Sequence, residues 1–171
     1  MAEGTQNRGQ LAHFLAETGG TNFSRLGKGF TDLASNLNAQ TREATYIDDS
    51  SDSTTTGFQP SWPVSGDYYD DDPANMLLYG LSINLAKGPD AVVELLTARL
   101  WEPNTTVAGV YSGYKQTCAW VPESDGGGAG GETVTYSGAL NAKGDRVHGW
   151  ITIDKTVTPW TATFSPEEPT P

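Results

Sequence analysis

Residues Ser24 to Pro60 read SRLGKGFTDLASNLNAQTREATYIDDSSDSTTTGFQP. After the turn-forming Arg25-Leu26-Gly27, residues 30–37 and 39–47 are strand candidates, and together they are expected to form a hairpin, 30–47. In its first strand, alternation puts Leu33 and Leu37 on one face and Asp32, Ala34 and Asn36 on the other. The second strand, AQTREATYI, has almost no apolar face, which suits a strand bathed in water rather than one packed in a core. The acidic, Ser/Thr-rich stretch Asp48 to Gly57 has no apolar anchor to offset the entropy of ordering, so it is expected to be a disordered loop.

Outward from this stretch the same period of two recurs, which argues for a β-rich fold. In TVTYSGAL it aligns Val134, Tyr136 and Leu140; in RVHGWITID, Val147, Ile151 and Ile153; in PWTATF, Trp160, Ala162 and Phe164. Asn141-Ala142-Lys143-Gly144-Asp145 is expected to turn the chain between the first two, with Gly144 free to take φ > 0. VVELLTARLW and VYSGYKQTCAWV read as longer strands around a turn at Glu102 to Thr106, and residues 11–16 as a weaker strand. One helix interrupts this pattern: Asp72 caps it, Pro73 opens it, Leu77, Leu81 and Leu85 form a stripe with Leu78 beside it, and Gly88-Pro89 closes it, giving a helix of about 73–86 lying on the sheet. Glu123 to Gly131 is expected to be a mobile glycine-rich loop. Residues 1–164 then form a single domain, and 165–171 a Pro-rich C-terminal tail trailing into solvent.

A chain of 171 residues can bury about 70% of its unfolded surface without disulfides or metal. The single Cys118 cannot form an intrachain bridge and reads as a small buried hydrophobe. The N-terminal residues lack the apolar run of an export signal, and no stretch approaches the roughly 18 apolar residues of a membrane span, so a cytoplasmically made protein without a membrane partner is expected. Ten Lys and Arg against 21 Asp and Glu give a net charge of −11, and the basic residues are scattered singly, which argues against a surface that grips nucleic acid.

Nothing here points to an enzyme, a cofactor or a metal. Gly126, Gly128 and Gly131 match G-x-G-x-x-G, but a strand, not a helix, is expected to follow. Asp70-Asp71-Asp72 lacks the alternating spacing of a calcium loop and is explained by capping. His13 and His148 lie far apart in strand candidates with no convergent partner. Five Trp and seven Tyr allow a sugar-binding face, although Trp101, Trp120, Trp150 and Trp160 fall in strands where core or interface burial is commoner.

The wording of residues 24–60, followed late in the chain by NAKGD, resembles the major tail protein of long-tailed, non-contractile bacteriophages (siphophages), over roughly Asn22 to Phe164. The resemblance implies a mainly β fold with one α-helix, a β-sandwich or partial barrel of the tail-tube type. It implies homohexameric rings whose sheets close around a lumen and stack into a tube that passes double-stranded DNA without binding it. The protein would assemble in the host cytoplasm, reside in the virion, and meet tape measure, tail tip and tail terminator proteins. On that reading Asp32, Asn36 and Glu43 are candidates to face the lumen, and Asp48, Asp49 and Asp52 to contact the next ring. Two alternatives share these features: a secreted or surface β-sandwich binding module, and the inner-tube protein of a contractile injection system.

Overall fold

A computed structural model describes residues 4–47 and 51–170. Six strands, β1 (Leu11–Glu17), β2 (Phe23–Arg25), β3 (Phe30–Leu33), β4 (Ala39–Thr45), β5 (Ser51–Phe58) and β6 (Ser61–Asp67), precede the helix α1 (Pro73–Ile83). Five follow it: β7 (Val92–Pro103), β8 (Val110–Gly127), β9 (Thr135–Ala142), β10 (Val147–Asp154) and β11 (Thr161–Ser165). Nine strands join in the order β10-β11-β2-β1-β7-β8-β9-β6-β3, and β10 pairs with β8 as well, so six of them close into a barrel from which β9, β6 and β3 extend. β4 and β5 form a separate two-stranded sheet.

Strand β8 makes this closure possible. Its first half, Val110 to Lys115, pairs with β10; its second half, Cys118 to Gly127, pairs with β9 on the same side; β7 lines its other edge. β9 and β10 therefore run end to end along β8 and do not pair with each other. The segment Asn141 to Asp145 is thus not a hairpin turn: residues 143–146 bulge opposite Gln116 and Thr117, and the chain continues in the same direction. Gly144 does take a positive φ, of 78°, and the buried Gln116 side chain holds the bulge by donating to the Gly144 carbonyl at 2.9 Å.

Two cores result. The barrel interior holds Phe14, Phe23, Leu96, Ile151 and Ile153 with Ala12, Ala16, Ala98 and Ala162. Six strands enclose less space than the eight whose interior side chains just fill a barrel, and the alanines fit that narrower bore. The second core lies under α1 and includes Leu15, Trp62, Leu78, Leu95, Trp120, Tyr136 and Leu140. β1 and β7 separate the two and send alternate side chains into each, so β1 is buried from Ala12 to Ala16 instead of alternating with solvent.

The helix starts as its sequence dictates. The Asp72 side chain accepts from the Asn75 amide at 3.0 Å, and Pro73 supplies a first-turn residue that needs no donor. It ends at Ile83, short of 86, because Leu85 turns left-handed at φ 49°, its amide donating to the Ser82 carbonyl and that of Ala86 to the Leu81 carbonyl, both at 3.1 Å. Leu85 is consequently 68% exposed and leaves the apolar stripe, and Leu78 is the helix's fully buried anchor. Ser82 fixes the far end: its hydroxyl donates to the Leu78 carbonyl and accepts from the Trp120 indole, each at 2.9 Å. At the near end Asn75 donates to the Asp67 carbonyl at 3.0 Å, and Lys28 pairs with Asp71 at 2.6 Å.

Several expectations change. Residues 30–37 and 39–47 do not form a hairpin together: β3 pairs with β6, and β4 with β5. Ser51 to Gly57 is strand, not loop, because Ser and Thr backbones can form a ladder without burying side chains. The glycine-rich stretch is half strand, since β8 runs on to Gly127. Val134 and Val147 stay exposed while Tyr136, Leu140, Ile151 and Ile153 are buried. The C-terminal residues are not wholly free, since Glu168 accepts from the Asn104 side chain at 3.1 Å.

Candidate assembly surface

The β4–β5 hairpin is the least explained element of the subunit. Its strands pair only with each other among the described residues, with a bulge between Gln40 and Thr41, and every residue is exposed except the half-buried Ala44 and Gly57. A lone two-stranded ribbon is marginally stable in water unless something packs on it. Among the described residues only its base is fastened to the rest of the subunit. Asn36 and Ser61 exchange backbone hydrogen bonds of 2.8 Å, the Gln59 amide donates to the Leu37 carbonyl at 3.2 Å, and Asn38, at φ 45°, donates its amide group to the Gln59 carbonyl and the Ser61 hydroxyl. Asparagine tolerates that left-handed conformation better than other residues with a Cβ.

Apolar residues cluster at the hairpin's two ends: Tyr46 and Ile47 beyond β4, and Leu37 and Phe58 at the base, all exposed. Between them the ribbon carries Arg42, Glu43 and Asp52, also exposed. Polar strands with apolar ends suit a surface that meets water on one side and a protein at its margins.

The sequence candidates distribute unevenly over this geometry. Glu43 and Asp52 lie on the hairpin, exposed; Asp48 and Asp49 fall outside the described residues. Asn36 is exposed at the hairpin's base, bridged to Ser61. Asp32 is on β3, the edge of the main sheet, exposed at a cleft of about 540 Å³ also lined by Arg8, His13 and Arg25. Because β3 and β4 do not pair, Asp32 and Glu43 do not share a sheet. The sequence reading missed Phe58 and Arg146; their only signal was an apolar residue closing a polar strand and an arginine beside the glycine-containing bulge.

The chemistry of the remaining candidates is structural. His13 is buried, its Nδ1 3.0 Å from the Thr97 hydroxyl, and burial pulls its pKa down to about 3, with Arg8 adding to the effect. Burial likewise pushes the Cys118 thiol up to about 12, leaving it unreactive. His148 packs edge-on to Tyr114 at 6.1 Å. Gly126 and Gly127 belong to β8, and β9 rather than a helix follows the glycine run, so it presents no helix N-terminus to a phosphate. Asp72 is occupied as the helix cap and Asp71 by Lys28. Among the described residues no three His, Cys, Asp or Glu side chains converge as a metal site would require, and no helix is long and apolar enough to cross a membrane.

No family model and no curated protein matches the chain. Among solved structures it is similar to a chain from the tail of an empty GTA particle computed with helical refinement and C6 symmetry, with a TM-score of 0.57 and 17% identity over 83% of this chain and 97% of that one. It is similar also to a chain of the virion of a native gene transfer agent particle, with a TM-score of 0.55 and 13% identity over 84% of this chain and 98% of that one. The fold, mainly β with one helix and a closed six-stranded barrel, is of the phage tail-tube type.

Proposed function

We propose that the chain is a structural tail protein, the subunit of a tail tube of the kind found in siphophages, rather than an enzyme. Subunits join as hexameric rings, and rings stack into a conduit for double-stranded DNA. The observation that carries this reading is the β4–β5 hairpin, a polar ribbon that nothing in its own subunit covers among the described residues. Pairing or packing between neighbours supplies what a lone ribbon lacks and removes an open edge that would otherwise aggregate. The fold likeness to a C6-symmetric tail supports the ring.

The charge suits such a conduit. A ring of six copies carries six times the −11 of one chain, and screening leaves that field effective over about 8 Å, within reach of DNA in a narrow bore. Carboxylates there repel phosphate, whereas Lys and Arg would hold it by counterion release. Asp32, Asn36 and Glu43 are the proposed lumen-facing residues, and Asp48, Asp49 and Asp52 the proposed contacts to the next ring. Tape measure, tail tip and tail terminator proteins complete the proposed tail in the virion. Sedimentation of the purified protein over a wide concentration range tests this: rings and tubes are expected, and a strict monomer even with tail-tip proteins present would overturn it.

A further inference from the structure

Arg146 closes the bulge between β9 and β10, with its guanidinium carbon 4.3 Å from the Tyr114 ring centroid and 5.6 Å from that of Trp62. Among the described residues its Nε and Nη2 are shut off from solvent with no hydrogen-bond partner, and none of the three ion pairs includes it. Ring faces compensate a cation in part. A desolvated guanidinium still needs a carboxylate or carbonyl to balance its lost hydration. Nη1 is the nitrogen not closed off, and Arg146 lines a groove of about 310 Å³ whose walls include Leu37, Phe58, Pro60, Gln116 and the exposed Asp145, which no ion pair among the described residues joins to Arg146. Leu37 and Phe58 are 47% and 61% exposed there, and Gln116, bonded to Gly144, holds the groove floor in place.

We propose that this groove receives an acidic side chain from a second copy of the chain, its carboxylate on the Arg146 guanidinium and an adjoining apolar side chain against Phe58 and Leu37. Charge complementarity names the occupant: with 21 acidic side chains to ten basic ones, another copy supplies carboxylates in excess. The groove also lies at the base of the β4–β5 hairpin, so it continues the proposed assembly surface. The proposal rests on the self-assembly reading and adds to it a named anchor.

The test compares the assembly of wild type, Arg146→Gln, Arg146→Lys and Phe58→Ser by sedimentation and electron microscopy, with near-ultraviolet circular dichroism of each monomer. Removing one partner of a desolvated charge pair should raise the critical concentration about 30-fold or more for Arg146→Gln, and less for Arg146→Lys, which keeps the charge without the fork. Phe58→Ser, an exposed rim change, should weaken assembly while leaving the monomer folded, and it decides the matter if Arg146→Gln fails to fold. Unchanged critical concentrations for Arg146→Gln and Phe58→Ser, with wild type assembling, would overturn the groove and leave the tube reading intact. So would Arg146-dependent retention of a DNA duplex, which would make the occupant a phosphate. A wild type that never assembles would overturn both.

Discussion

His13 is buried on β1, paired across the β1–β7 ladder with Thr97, and its imidazole is neutral because burial disfavours the charged ring. Its folded pKa of about 3 lies below the ordinary 6.5, so as pH falls the unfolded chain takes up the proton first. The stability it contributes is complete above pH 6.5 and is lost as pH falls toward 3. The slope is about 1.36 kcal/mol per pH unit. Urea unfolding at pH 8 and pH 5 should therefore show wild type losing about 2 kcal/mol more than His13→Gln. Parallel losses in the two proteins would mean that the ring titrates normally. Local signals of this order were legible in the sequence. Asp72-Pro73 announced a cap and first turn, and lone Cys118 announced a buried hydrophobe. The helix end was less legible, because a leucine at a left-handed position, Leu85, carries no glycine to announce the stop.

Elements whose partners are distant in sequence were harder to read. β6 hid behind Pro63, which usually argues against a strand, yet β3 pairs only as far as Val64, so no neighbour on that side misses the absent donor at Pro63. The NAKGD bulge looks like a hairpin turn because a positive-φ glycine serves both; only the length of β8 decides that the chain runs on. For β4 and β5, polarity was legible and pairing was not, since a ladder made by backbone alone leaves no apolar pattern. The hairpin's independence from the cores makes a prediction. Replacing residues 42–54 with an Asn-Gly turn, which keeps the Thr41 and Thr55 pair, should leave the monomer's Tm within about 2 °C of wild type, because surface changes that bury nothing cost little. The shortened subunit should not form tubes. A drop of many degrees would place the hairpin in the subunit's own core, and normal tubes would remove it from the assembly surface.

At the scale of the whole molecule, the chain carries a net charge of −11, and in the proposed conduit that charge would face DNA. Purified protein should leave a DNA duplex unshifted in a gel even at low salt, where phosphate contacts are strongest; micromolar binding would contradict the proposed conduit whose carboxylates repel phosphate. The most direct test of the central claim is electron microscopy of the concentrated protein. Six-fold rings or stacked tubes with an open central channel are the expected result. Uniform monomers, or closed particles without a channel, would contradict it.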